Sequence, residues 1–140
     1  MKLNKYLKEL GLDEDSFLFN EKQKEVDSRY KEDEEGFVDA EFFSLDYTLS
    51  LYIYSRLCYF REHCLCGYSM YFEHRYKERA AEKWAEILDD MTEAFRLMIV
   101  EDESYKSFDK KERYILSKNR AKKINKGMRY FIKYYHNLWY

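Results

Sequence analysis

The stretch Ser44–Phe60, SLDYTLSLYIYSRLCYF, decides how the rest of the chain is read. Leu45, Leu49, Ile53, Leu57 and Phe60 recur at steps of three and four, which predicts an amphipathic helix burying that face. Ser44 precedes the run and suits an N-cap, its hydroxyl placed to accept from a free first-turn amide. Asp46 falls in the first turn, where the helix dipole favours a carboxylate. It stands three residues before Leu49, so the pattern places it toward the apolar side. A buried carboxylate there needs a partner, and Asp46→Ala is expected to destabilise the fold.

Two more long helices follow outward from this one. From Ala80 to Val100, Trp84, Leu88, Met91, Phe95 and Met98 repeat at helical spacing, and Ile87, Ala94 and Ile99 widen the stripe. Asp109 is placed to cap a third helix, with Glu112 completing a capping box. That helix is expected to reach Leu138 through Tyr114, Ser117, Ala121, Ile124, Met128, Phe131, Tyr135 and Leu138. Gly127 inside it costs about 1 kcal/mol relative to alanine, so a kink or a close helix contact is its expected use. Residues 2–10 form a short helix stopped by Gly11. Residues 12–36 read as an acidic, irregular region whose main apolar patch is Phe17-Leu18-Phe19, with Lys31–Glu35 as a solvated loop. Residues 70–79 carry no clear period. The expected fold is all-α: a bundle of three long amphipathic helices plus the short N-terminal helix. Residues 1–35 form an acidic, partly irregular segment and residues 36–140 a single helical domain.

The 140 residues include 15 Tyr, 10 Phe and 2 Trp, enough aromatic bulk for a dense core from few side chains. Proline is absent and glycine occurs four times, which excludes Gly-rich cofactor loops. The net charge of −2 conceals a dipole. Residues 13–41 hold twelve Asp/Glu against four Lys/Arg, and residues 106–140 hold eleven Lys/Arg against two Asp/Glu. The absence of a long apolar run and of a signal-peptide core predicts a cytoplasmic protein without a membrane span. Its three cysteines are then expected to be reduced.

The residues also carry a resemblance. Gly36-Phe37-Val38-Asp39, Ser44-Leu45-Asp46-Tyr47-Thr48, Ile53, Arg56-Leu57, Phe60 and Gly67-Tyr68 begin a pattern. Trp84, Glu86-Ile87-Leu88-Asp89, Met91 and Ala94-Phe95 continue it, and Gly127-Met128, Phe131, Lys133-Tyr134-Tyr135 and Leu138-Trp139 end it. Over residues 36–140 this resembles a family of uncharacterised small bacteriophage proteins. Phe43 stands where that family usually has tryptophan, and Ser55 where it usually has proline. The resemblance implies a phage origin and brings no catalytic residues. By analogy with other small phage accessory proteins, it suggests action on host machinery or host defence.

Four groups of side chains are candidates for chemistry. Cys58, His63, Cys64, Cys66 and His74 offer thiolates and imidazoles within a short span, but the spacing matches no standard zinc site, and a buried small cysteine plus loop cysteines is the preferred reading. Glu82, Glu86, Asp89 and Glu93 form an acidic stripe on the second helix. Without Glu-x-x-His pairs directed inward, it reads as a solvated or ion-paired face rather than a di-metal site. Lys118, Lys122, Lys126, Arg129 and Lys133, adjoined by Tyr130 and Tyr134, form a basic stripe. It is suited to phosphates and bases, or to pairing with the acidic stripe or the acidic N-terminal region, and pairing is preferred. Arg56, Arg61, His63, His74, Arg75 and Arg79 would make an anion pocket if they converged beyond Phe60. The alternative is scattered surface charge.

No nucleophile elbow, phosphate-binding glycine loop or His-Glu-x-x-His is present. The expected function is a non-enzymatic phage accessory protein, without cofactor or metal, acting in the cytoplasm of an infected bacterium. It would counter a defence by docking on a host protein or by sequestering an anionic nucleotide signal. Nucleic acid is a less favoured partner because the chain's pI is about 6.0. A homo-oligomer is left open. A Cys/His zinc protein or small enzyme, and a virion or assembly component, are the alternatives.

Overall fold

The computed structural model describes residues 1–16, 18–63, 68 and 70–138. It is all-α: among those residues no strand forms, and an isolated antiparallel bridge joins Glu32 to Val38. The α-helices are α1 (Lys5–Glu9), α2 (Glu21–Val26), α3 (Leu45–His63), α4 (Met70–Tyr76), α5 (Ala80–Ile99) and α6 (Lys110–Tyr134). No described helix is long and apolar enough to cross a membrane. The chain forms two compact units, Met1–Ser55 and Arg56–Tyr140, and the division runs through α3.

The first unit is built from local caps. Asn4 accepts from the Leu7 amide at 3.3 Å and starts α1. Gly11 stops it as expected, taking φ 88°, while the Gly11 and Leu12 amides donate back to the Lys8 and Leu7 carbonyls. The acidic region is less irregular than its sequence suggests, because Asn20 caps α2 by accepting from the Gln23 amide at 3.1 Å. None of the residues of α2 is buried, so no apolar period announced it. Within the expected apolar patch Phe19 is buried, and Phe17 lies outside the described residues. The loop at Lys31–Glu35 is exposed as expected. Asp33 folds it by accepting from the Glu35 and Phe37 amides, and Gly36 turns it with φ 90°.

α3 forms where predicted, but with a different buried face. Leu45 and Leu49 are 44% and 49% exposed, whereas Ser50, Leu51, Tyr54, Ser55 and Leu57 are buried. Leu57 alone of the predicted stripe is buried. Two serines on that face satisfy themselves: Ser50 donates to the Asp46 carbonyl at 2.7 Å and Ser55 to the Leu51 carbonyl at 3.1 Å. The expectation for Asp46 is also corrected. Its side chain is exposed and accepts from the Ser44 hydroxyl at 2.9 Å. That bond, followed by the Tyr47 amide, holds its carboxyl below the ordinary range. Asp46→Ala therefore leaves no buried hole or orphaned charge.

In the second unit α5 realises its predicted stripe, burying Trp84, Ile87, Leu88, Met91, Ala94 and Phe95. Residues 70–76, unassigned from sequence, form α4 because Phe72 is buried among aromatic rings. Its centroid lies 4.6 Å from Tyr76 and 5.8 Å from both Trp84 and Tyr134, the last two edge-on. Lys77 in the left-handed region (φ 50°) then breaks the chain before α5.

α6 begins as predicted, with Asp109 accepting from the Lys111 amide at 2.9 Å. The capping box is modified: Glu112 accepts from the Ser107 hydroxyl, and the Asp109 amide donates to the same Ser107 oxygen. The predicted face of α6 holds in part. Ile124, Met128, Phe131 and Leu138 are half-buried, while Ser117 and Ala121 are exposed and Tyr114 and Tyr135 are 67% and 59% exposed. Arg120, Gly127 and Tyr134 extend the covered side. Gly127 sets the closest approach. A Cβ there would lie closer than 3.0 Å to the Asp90 carbonyl oxygen and to Ala94 Cβ. The glycine permits a close α5–α6 contact, one of its two expected uses. The α-helix ends at Tyr134 and passes into a 3-10 turn over Tyr135–Asn137, one turn short of the expected end.

Candidate binding cleft

Close approach at Gly127 and the Phe72–Trp84–Tyr134 ring cluster fix α4, α5 and α6 around a cleft of about 410 Å³. Its walls carry Arg75 and Tyr76 from α4, Lys83, Glu86, Ile87 and Asp90 from α5, and Lys126, Tyr130, Lys133 and Tyr134 from α6. The volume lies within the range of small-molecule sites.

Four cations face two carboxylates there, and half of the cations are already paired. Lys83 bonds Glu86 at 2.8 Å, which is the first cause of a lowered Glu86 pKa. Lys126 bonds Asp90 across the helix pair at 3.1 Å, and that bond raises the Lys126 pKa above its usual value. Among the described residues no carboxylate pairs with Arg75 or Lys133. Instead, the Arg75 guanidinium lies 5.4 Å from the Tyr76 ring centre and the Lys133 ammonium 5.3 Å from that of Tyr134. The cleft therefore presents two cations beside tyrosine rings and without a carboxylate partner among the described residues. That chemistry suits an anion attached to a planar group.

The basic stripe is thus divided by the fold. Lys126, Tyr130 and Lys133 line the cleft, while Lys118, Lys122 and Arg129 stay exposed outside its lining. Arg75 alone of the suggested arginine pocket lines the cleft. Arg61 bonds Asp89 at 2.9 Å and Arg79 bonds Glu82 at 3.2 Å, both on α5. Arg56 and His74 are exposed and do not line it. The acidic stripe is ion-paired, as preferred from sequence: Glu82 with Arg79, Glu86 with Lys83, Asp89 with Arg61 and Glu93 with Arg96. The preferred pairing of the two stripes is corrected: among the described residues no ion pair joins them, and Lys126 goes instead to Asp90, a neighbour of the acidic stripe.

Among the described residues no three His, Cys, Asp or Glu side chains are grouped to hold a metal. Cys58 is half-buried and forms no disulfide among the described residues. The His63 ring lies 4.3 Å from that of Tyr59, and His74 is exposed. Cys64 and Cys66 lie outside the described residues.

Sequence reasoning passed over Tyr76, Lys83 and Asp90. A signal existed for the latter two. Lys83, Glu86 and Asp90 follow at steps of three and four along the border of the buried α5 stripe, where polar side chains rim a helix contact. Comparison with known proteins gives no relative: no family model matches the chain, and no curated protein or solved structure matches it.

Proposed function

We propose that this chain is a non-enzymatic binding protein whose α4–α5–α6 cleft takes a phosphate-bearing ligand of nucleotide character. The supporting observation is the pair Arg75 and Lys133, which are without carboxylate partners among the described residues and lie beside Tyr76 and Tyr134. Arg75 offers a guanidinium fork to an anionic oxygen, Lys133 a second charge, and the tyrosines a surface for a planar ring. The Lys83–Glu86 and Lys126–Asp90 pairs keep the rim polar and ordered around them. The resemblance of residues 36–140 to small phage proteins gives this binding a purpose. The protein would act in the cytoplasm of an infected bacterium by withholding a nucleotide signal on which a defence depends. In the same proposal the last turns of α3 join α5 and α6 in a three-helix bundle, for which the Arg61–Asp89 bridge is the support.

Equilibrium titration with a fluorescent adenine nucleotide tests the ligand. Saturable binding is expected, and Arg75→Ala with Lys133→Ala should weaken it by about 10- to 100-fold, the usual worth of one or two charge-assisted hydrogen bonds. The melting temperature should stay unchanged, because both side chains sit on the rim. Absence of binding, together with absence of an ultraviolet-absorbing molecule released from the purified protein on heating, rejects the nucleotide reading.

A further inference from the structure

The two units carry opposite charge. Met1–Ser55 holds 7 Lys/Arg against 14 Asp/Glu, a net of −7, and Arg56–Tyr140 holds 18 against 13, a net of +5. Each pole has an exposed face that its own unit leaves unused. On α6, Lys111, Lys118, Lys122 and Arg129 are exposed and form no ion pair among the described residues. Their spacing of seven, four and seven places them on one side of the helix, opposite the Gly127 row. Over 18 residues they extend about 27 Å along it. Tyr114, 67% exposed, stands among them, with Lys118 5.9 Å from its ring centre. The acidic unit displays the complement. Glu32, Glu34 and Glu35 are exposed and form no ion pair among the described residues. Phe37 and Phe42 beside them are 51% and 52% exposed and pack edge-on against each other, 6.1 Å apart.

We infer that the outer face of α6 is a docking surface for the acidic, phenylalanine-bearing face of a second copy of this chain. One side supplies cations around a tyrosine and the other carboxylates around two phenylalanines, so charge and aromatic character match across the contact. The contact joins unlike faces. Each copy carries one face of either kind, so it can both offer and receive the contact. The cations involved are not those of the cleft, and the inference does not rest on the proposed ligand.

Sedimentation velocity tests it with two charge reversals, Lys118→Glu/Lys122→Glu/Arg129→Glu and Glu32→Lys/Glu34→Lys/Glu35→Lys. Asp33 is spared because it holds its turn. Wild type should exceed the 17.4 kDa monomer mass with rising concentration at about 0.05 M salt and return to it at about 1 M, where screening shrinks to about 3 Å. Each reversal alone should weaken association by about tenfold or more. An equimolar mixture of the two should recover it, which misfolded variants would not do. Wild type at 17.4 kDa throughout overturns the inference, as does association that neither reversal affects. A monomeric wild type that binds a labelled oligonucleotide through the same α6 residues also overturns it and assigns the face to nucleic acid.

Discussion

The two halves of α6 make different use of one repeating pattern. From Lys110 to Asn119 every residue is exposed, including Tyr114, Ile115 and Leu116. From Arg120 onward the helix is anchored. Arg120 donates to the Leu97 carbonyl at 2.6 Å, Gly127 meets the α5 backbone, and Phe131 packs edge-on to Phe95 at 5.1 Å. Basic residues run through both halves. In the anchored half some are drawn to the cleft, and in the other they stay exposed, with Arg113 donating to the Ser107 carbonyl at 3.2 Å. The amphipathic period therefore states what a helix can bury, while a single glycine at the contact decides which turns bury anything.

Replacing that glycine should have the largest effect. In Gly127→Ala the new methyl meets the Asp90 carbonyl and Ala94 Cβ, neither of which can swing aside as a flexible side-chain end would. Overpacking of this kind costs about 1–3 kcal/mol. The gain in helix propensity, about 1 kcal/mol, opposes it. Urea denaturation should show net destabilisation, and nucleotide binding should fall because Lys126, Tyr130 and Lys133 follow the same helix. The control on the free half is Lys118→Ala, expected within about 0.5 kcal/mol of wild type. A Gly127→Ala protein as stable as wild type would show that the halves are not distinguished by this contact.

The next effect belongs to the free half. Asp109 caps it, and loss of such a cap is worth about 1 kcal/mol of helix stability. No residue of 110–119 is buried, Leu116 being the most covered of the apolar ones at 38% exposed, so the helix end can open without the core. Asp109→Ala should speed amide hydrogen exchange through the first turns of α6 and barely move the urea midpoint. A midpoint shift equal to the full cap value, with unchanged local exchange, would instead tie this end to the cooperative unit.

Legibility from sequence follows the same division. α5 was readable to its ends because its core positions are Trp, Leu, Ile, Met and Phe, whose apolar character is unambiguous. α3 is legible in position but not in rotation, since its inner face uses Tyr54 and two serines that hydrogen-bond to their own helix. α6 is legible in part for a related reason: Ile124, Met128 and Phe131 of its apolar period are half-buried, but its contact row also runs through a glycine and an arginine, which no hydrophobicity count selects. α2 rests on an asparagine cap and α4 on one phenylalanine, too little for a period to register. In the cleft, Lys126, Tyr130, Lys133 and Arg75 were singled out by charge and aromatic pattern. Their meeting across three helices, and the Asp90 that holds Lys126, depend on tertiary contacts.

The smallest effect is expected where α5 meets the border of the two halves. Glu93 accepts from Arg96 at 2.7 and 2.8 Å, with the charge of Lys123 on α6 a lesser influence. The Arg96 bond is the first cause of a carboxyl pKa held below its ordinary 4.5. A depressed carboxyl pKa adds stability above the unfolded-state value, and that stability is lost as pH falls through the folded value. The pair is about a third exposed, so screening by solvent keeps its worth below about 1 kcal/mol. Glu93→Gln should therefore be slightly less stable than wild type near neutral pH. The gap should close as pH falls below 4.5, when the wild-type carboxylate is protonated too. A gap that persists in acid would mean that Glu93 acts through packing rather than charge. If the gap also shrinks in Lys123→Ala at neutral pH, part of the charge term crosses to α6. If it does not, the pair belongs to α5 alone, and the anchored half of α6 is held by Gly127, Arg120 and its rings.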